Sequence, residues 1–313
     1  MPVLTEVEMA GVGFIGLGVM GRPMAGHILD GIGPEGRELV VLDSGRGNAD
    51  ALVGRGAIGV GTARAVAEAC DLIVVMLPDL PQLRDLLDGP DGLVAGVRQP
   101  VVLVICSTVS PDGVRALDVE LAERTNGQLR VVDAPVSGGE VGAVAGTMSI
   151  MVGGPRGLVD QAMPVLDLMG TPAHLGPLGA GQVAKACNQL ICAAQVAAIA
   201  EAAVVAERAG LDVGRLLTLL QGGYAASTIL ADKATRFAEK DYSVSGAAKF
   251  MVKDLAAYRA EATRTGTPTL IADRLLDAFT DLTAQGLGDQ DTSVVQAYVA
   301  GRAPADGSAS HRS

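Results

Sequence analysis

The segment that constrains this chain most lies near its start: Gly11-Val-Gly-Phe-Ile-Gly16-Leu-Gly18-Val-Met-Gly21. An apolar, β-rich run at residues 12–15 leads straight into a G-x-G-x-x-G triplet, and a helix-forming stretch follows at 20–30. Gly16 permits a tight turn, Gly18 lets phosphates approach the backbone, and Gly21 lets helix and strand pack closely. The helix start then offers unpaired N–H groups and partial positive charge to an anion. Among 41 glycines such a triplet can arise as turn punctuation. Its place between a strand and a helix points instead to a dinucleotide site formed by Gly16, Leu17, Gly18, Val19, Met20 and Gly21.

The rest of the first half repeats this strand–helix alternation. Further strands are expected at 39–42, 72–77, 101–105, 129–132 and 148–152. They are continuous apolar runs, as expected of strands covered on both faces in a parallel sheet. Helices are expected between them at 48–55, 62–69, 80–87, 111–124 and 155–168. Beyond Gly179 strand signals vanish and Ala/Leu-rich helical stretches follow at 181–208, 213–220, 227–236, 247–265, 267–284 and 292–302. The stretch 182–207 is apolar on nearly every side and reads as a central helix packed all round. The expected fold is therefore an α/β, Rossmann-type, doubly wound N-terminal sheet followed by an all-α C-terminal domain. The expected division is 1–178 for the dinucleotide domain, 179–302 for the helical substrate and dimerisation domain, and 303–313 for a disordered tail.

Composition removes several classes of function. The chain carries 24 Lys+Arg against 35 Asp+Glu, a net charge of −11, so it lacks the basic face that nucleic acids require. Aromatics are only 3% of residues, with no Trp, which leaves little for base stacking or aromatic cages. The cysteines Cys70, Cys106, Cys187 and Cys192 form no C-x-x-C and sit in apolar stretches, so they read as buried reduced thiols. The three histidines, His27, His174 and His311, are far apart, and no metal site is expected. Residues 1–10 carry two glutamates and no basic region, unlike a signal peptide. The apolar run 186–200 falls short of the ~20 residues a membrane span needs. A cytoplasmic protein with no membrane partner is expected, and the Ala-rich helices favour a homo-oligomer, dimer or tetramer.

Asp43 ends the second strand, 22 residues after Gly21, where a carboxylate accepts from the ribose 2′-hydroxyl of NAD and repels the 2′-phosphate of NADP. Arg46 is the counter-signal, because an arginine there can hold that phosphate. NAD is expected, with NADP possible.

Two later segments carry reaction chemistry. Asp133-Ala-Pro-Val-Ser137-Gly138-Gly139 leaves a strand for a Gly-Gly turn bearing a hydroxyl. Consecutive N–H groups there can cradle a small carboxylate, with Ser137 as a side-chain donor; the same glycines also serve a turn that needs positive φ. Lys185 is the only Asp, Glu, Lys or Arg between Asp167 and Glu201. Burial would disfavour its ammonium and suit it to proton transfer, although a lysine snorkelling from a helix start has the same surroundings. Asn188, three residues on, shares its helical face.

These segments resemble the β-hydroxyacid dehydrogenases, a group that includes 3-hydroxyisobutyrate dehydrogenase and tartronate semialdehyde reductase. The resemblance runs through Gly13–Ala25, Leu77-Pro78, Ser107-Thr108-Val-Ser-Pro111, Asp133–Gly139, Gly179–Asn188, Lys253-Asp254 and Gly288–Asp291, in order. It implies NAD(P)-dependent interconversion of a small 3-hydroxyacid and its semialdehyde. In that reading Lys185 is the general acid/base, and Ser137, Gly138, Gly139, Asn188, Gln189 and Lys253 contact the substrate. It also implies that Leu77, Pro78, Thr108 and Lys253 join the cofactor site. The chain departs from the family pattern at Gln189, where a second Asn is common; the Asn-Gln pair is associated with the tartronate semialdehyde reductase-like branch. Two alternatives differ in kind. An imine reductase-like NADPH enzyme shares the architecture but replaces the lysine, and a non-catalytic dinucleotide-binding module would not need Ser137, Lys185 and Lys253 together.

Overall fold

Alternate residues of the apolar strands feed two separate cores, one on each face of a single sheet. In β1 (Gly11–Ile15), Val12 and Phe14 join one core and Ile15 the other. In β4 (Cys70–Val75) and β5 (Val101–Ile105), Leu72, Val74, Val102 and Val104 face the first core; Ile73, Val75, Leu103 and Ile105 face the second. The structure, a computed structural model, describes residues 11–45 and 47–302. The expectations for residues 1–10, for Arg46 and for the tail 303–313 fall outside the described residues.

The remaining strands are β2 (Leu39–Leu42), β3 (Ile58–Gly59), β6 (Leu129–Asp133), β7 (Val136–Ser137), β8 (Met148–Gly153) and β9 (Gly170–Gly176). Their order is β3-β2-β1-β4-β5-β6-β8-β7, with β9 beside β8. The pairs from β3 to β6 are parallel, while β8 runs antiparallel to β6 and β7. The segment between Ser137 and Met148 is too short for a right-handed crossover, which takes a dozen or more residues. The order reverses direction between β1 and β4, the place where open α/β sheets leave a crevice for ligands. Strands β3, β7 and β9 carry no long apolar run; β9 contains Pro172 and alternates half-buried with exposed residues, as an edge strand does.

The helices of this unit are α1 (Gly21–Ile32), α2 (Asp50–Val53), α3 (Ala63–Ala69), α4 (Leu80–Leu87), α5 (Leu93–Gly96), α6 (Pro111–Arg124), α7 (Gly139–Ala145) and α8 (Arg156–Asp167). Side-chain acceptors on Thr62, Asp79 and Ser110 cap α3, α4 and α6.

The second part is helical: α9 (Ala180–Arg208), α10 (Val213–Leu220), α11 (Thr228–Glu239), α12 (Phe250–Arg264), α13 (Ala272–Ala284) and α14 (Val295–Gly301). The chain divides into two compact units, one ending at Lys185 and the other beginning at Ala186, so the division falls inside α9. The helical core gathers Ala193, Val196 and Ala200 of α9 with Leu230, Phe237, Leu255, Phe279, Leu282 and Val295. A buried ion pair pins it: Lys233 Nζ lies 2.9 and 3.0 Å from the two oxygens of Asp291, which is fully buried and also accepts from Ser245 Oγ at 2.6 Å.

Two expectations need correction here. Helix α9 is not packed all round: Cys187, Ile191, Ala198, Ala202 and Val205 form an exposed stripe, with Ile191 57% and Val205 67% accessible. The even distribution of alanine hid which face the core uses. The thiols also differ, since Cys70 and Cys106 are buried but Cys187 is exposed on that stripe. At 29 residues, with a window of mean hydropathy 1.8, α9 is long and apolar enough to cross a membrane, longer than the run delimited from sequence. Its polar Gln189 and core residues face the interior of the helical unit.

Candidate functional site

The phosphate loop has a distinct steric reason for each glycine. Gly16 has φ +96°, and a Cβ on Gly21 would stand 1.8 Å from the Gly16 carbonyl oxygen, so neither position accepts a side chain. Around Gly18 there is nothing within 4 Å of the space a Cβ would take, so this open cradle is not needed for packing. Helix α1 begins there with no side-chain cap and no acidic residue in its first turn. Uncapped N–H groups, open space and the strand-order reversal together fit a pyrophosphate. Val19 is exposed and Met20 half-buried beside this opening.

Asp43 follows β2 directly, and its carboxylate accepts from the Leu17 N–H, from the Gly45 N–H at 2.5 Å and from Asn48 Nδ2 at 3.0 Å. Asp43 is thereby fastened to the glycine loop. Asn48 had no distinguishing signal in the sequence.

The loops after β4, β5 and β6 are joined by a second network. The Leu77 N–H, beside Pro78, donates to Ser107 Oγ at 2.8 Å. Thr108 comes next, flanked by two backbone groups that both bond one side chain: Gln182 Nε2 donates to the Ser107 carbonyl at 2.8 Å, and the Val109 N–H donates to Gln182 Oε1 at 3.0 Å. Asp133, the last residue of β6, accepts from the Gly179 and Gln182 N–H groups, each at 2.7 Å. Asp133 is fully buried; burial pushes its carboxyl up to about 6, against the pull of those N–H donors and the more distant Arg115. Lys185, 8% exposed, lies three residues past Gln182 on α9. Its burial agrees with the sequence reading; the supporting residues Ser107, Asp133 and Gln182 were not singled out, although a lone carboxylate ending an apolar strand was a visible signal.

Ser137 is half-buried in β7, and the next two residues turn with φ +144° at Gly138 and +60° at Gly139, the first residue of α7. The expected Gly-Gly turn is thus formed, with Ser137 beside it.

Asn188, Gln189 and Lys253 belong to the helical unit. Asn188 Nδ2 donates to Gln189 Oε1 at 3.0 Å, Gln189 Nε2 donates to Asp254 Oδ2 at 2.6 Å, and Lys253 Nζ lies 2.8 Å from Asp254 Oδ1. Asp254 is buried and links residues that the sequence treated separately. Among the described residues no group of three or more His, Cys, Asp or Glu could hold a metal.

Comparisons with known proteins cover nearly the whole described chain. A family model described as the NAD binding domain of 6-phosphogluconate dehydrogenase matches residues 11–184, and one described as NAD-binding of NADP-dependent 3-hydroxyisobutyrate dehydrogenase matches 179–298. The 2-hydroxy-3-oxopropionate reductase of Escherichia coli K12 is 38% identical over 78% of this chain and 81% of its own length. The NAD-dependent L-serine dehydrogenase of Pseudomonas aeruginosa is 35% identical over 92% of this chain and 97% of its own. The crystal structure of 3-hydroxyisobutyrate dehydrogenase from Salmonella typhimurium superposes with a TM-score of 0.82 at 28% identity, covering 92% of this chain and 99% of that one. An imine reductase from Myxococcus stipitatus shares the fold alone, at 16% identity and a TM-score of 0.60 over 93% of this chain and 99% of that one.

Proposed function

The chain belongs to the β-hydroxyacid dehydrogenase family, and on that premise we propose that it interconverts a small 3-hydroxyacid and its semialdehyde with NAD(P), Lys185 being the general acid/base. One observation carries the assignment: a buried lysine sits one turn past Gln182, the side chain that bonds both neighbours of Thr108.

Oxidising an alcohol to an aldehyde removes a hydride, which is a hydrogen with its electron pair, from carbon and a proton from oxygen. A nicotinamide dinucleotide, held at Gly16–Gly21, would supply the hydride acceptor. Lys185 takes the hydroxyl proton and returns it in the reverse direction. Ser137 and the N–H groups of the Gly138–Gly139 turn hold the substrate carboxylate. Asn188 supports the lysine or the substrate oxygen, Gln189 shapes the same pocket through Asn188 and Asp254, and Lys253 contacts cofactor and substrate. Leu77, Pro78 and Thr108 line the nicotinamide side. Asp43, as a carboxylate at the end of β2, favours NAD over NADP.

The names of the relatives narrow the substrate class: 2-hydroxy-3-oxopropionate and L-serine share a three-carbon acid skeleton with oxygen at C3. A substrate of this size also suits a chain poor in aromatics. The exposed stripe on α9 supports self-association, and the protein is assigned to the cytoplasm.

The test is a panel of three-carbon hydroxyacids scored with NAD and with NADP, for the wild type and for Lys185→Ala. Loss of turnover by about 10²-fold or more with NADH binding retained is the expected result. Normal turnover in Lys185→Ala would overturn the mechanism.

A further inference from the structure

Helix α9 starts at Ala180, just after Gly179, beside the ends of β6 and β8, and its first N–H groups need acceptors. One neighbour in sequence supplies one, the Pro177 carbonyl, which takes the Ala180 N–H at 2.9 Å; the Gly179 and Gln182 N–H groups bond elsewhere. Their acceptor comes from 46 positions away: the Asp133 carboxylate takes the Gly179 N–H on one oxygen and, across a separation of 49, the Gln182 N–H on the other, both at 2.7 Å. A carboxylate at a helix N-terminus also opposes the partial positive charge there, so the arrangement is favourable in sign as well as in geometry.

The Gln182 side chain then points to the neighbouring loop and uses both ends of its amide. Its oxygen accepts from the Val109 N–H at 3.0 Å, and its nitrogen donates to the Ser107 carbonyl at 2.8 Å. Those two backbone groups flank Thr108. Ser107 is tied in turn to the loop after β4, through the Leu77 N–H on its hydroxyl at 2.8 Å. Gln182 is 1% exposed and Asp133 and Ser107 are fully buried, so water cannot substitute for any of these partners. One side chain thus locks the β5 loop to the helix that carries Lys185, and one carboxylate locks that helix to β6.

We propose that Gln182 and Asp133 are positioning residues for the reaction: together they fix the start of α9 against the Ser107–Val109 loop, so that Lys185 and Thr108 keep one mutual placement. The inference rests on the assignment of Lys185 as the acid/base. The proton leaves the oxygen and the hydride leaves the adjacent carbon, so a shift of about 1 Å between the two supports lowers turnover by as much as 10²-fold. Neither Gln182 nor Asp133 need touch the substrate. Their loss therefore acts on kcat rather than on ground-state binding.

The experiment compares wild type, Gln182→Met, Asp133→Asn and Lys185→Ala by steady-state kinetics below each variant's melting temperature, with NADH binding followed by fluorescence titration. Gln182→Met keeps the length and helix-forming character of the side chain and removes both hydrogen bonds. Asp133→Asn keeps one acceptor oxygen in the same volume. The expected result for both is a kcat lowered by about 10- to 100-fold, with the hydroxyacid KM and the NADH dissociation constant each within about threefold of wild type, because the dinucleotide loop is untouched. A folded Gln182→Met protein with wild-type kcat, or one whose loss lies wholly in KM, would overturn the proposal. Should Asp133→Asn not fold, Gln182→Met decides alone. Active Lys185→Ala would instead overturn the acid/base assignment, so the two failures are distinguishable.

Discussion

Gln189 donates its amide N–H to Asp254 at 2.6 Å, and Lys253 pairs with the other oxygen of the same buried carboxylate at 2.8 Å. Asp254 is thus held from two elements, α9 and α12. Where a shorter Asn would stop one methylene earlier, Gln189 reaches across. Gln189→Asn is expected to cost about 1–3 kcal/mol by leaving that carboxylate oxygen unpaired. Gln189→Glu should cost more, since it sets a second carboxylate against the first. Denaturant unfolding measures both; two unchanged midpoints would show that the bond contributes nothing.

Substitutions at Gly18 and Gly21 should separate binding from folding. A Cβ on Gly21 would stand 1.8 Å from a backbone oxygen, whereas Gly18 has open space. Gly21→Ala is expected to lower stability by more than about 2 kcal/mol. Gly18→Ala should melt within about 0.5 kcal/mol of wild type but bind NADH about tenfold more weakly, a difference of ~1.4 kcal/mol. Equal effects of the two on melting would contradict the steric assignment.

Two buried aspartates should give stability opposite dependences on pH. Burial alone would raise the Asp291 carboxyl, but the Ser245 hydroxyl, the Ser293 N–H and the Lys233 ammonium outweigh it and hold it at about 2, below the ordinary 3.8. Its ionised form therefore stabilises the fold above pH ~4, and that contribution is lost as pH falls toward 2. Asp291→Asn should cost about 2 kcal/mol at pH 6 and progressively less below pH 4. Asp133, raised to about 6, has the reverse sign: its contribution is full below 3.8 and is lost as pH rises through 6. The unfolding free energy of Asp133→Asn should accordingly gain on wild type between pH 4 and 7. Parallel pH profiles for wild type and both variants would refute these assignments.

The open stripe of α9 bears on assembly. Ile191 and Val205 are 57% and 67% exposed, far more than such side chains need to be in a helix otherwise rich in core residues. Ile191→Glu with Val205→Glu is expected to shift the sedimenting mass downward while leaving the helical content unchanged. An unaltered mass at the same concentration would mean that the stripe is not an interface.

Much of this was legible in the residue pattern because the strongest signals are local. A strand, a glycine triplet and the start of a helix occur within eleven residues, and continuous apolar runs mark the inner strands. What escaped is non-local or averaged out. Asp133 and Gln182 meet across 49 positions, and no periodicity reveals which N–H a carboxylate will accept. Strand β9 pairs on an edge, where Gly and Pro are tolerated and no apolar run forms. Along α9 nearly every face is apolar, so the pattern could not say which third of the surface the core uses. The turn at Gly138–Gly139 was visible as glycines, but the short helix that opens at Gly139 was not, because two glycines and two valines among its seven residues are poor or middling helix formers.

The exposure of Cys187 gives the native chain its own chemical reporter. Cys70 and Cys106 are buried, with thiols pushed up to about 12, so neither reacts readily near neutral pH. Cys187 stands two residues after Lys185 and on the uncovered side of the same helix. Partial burial and the Glu261 carboxylate also raise its thiol, so alkylation should be slow at neutral pH and accelerate as the solution becomes alkaline. The rate of that reaction, followed by mass spectrometry on unmodified protein, then reads how often the stripe is covered, without the introduction of a single foreign residue.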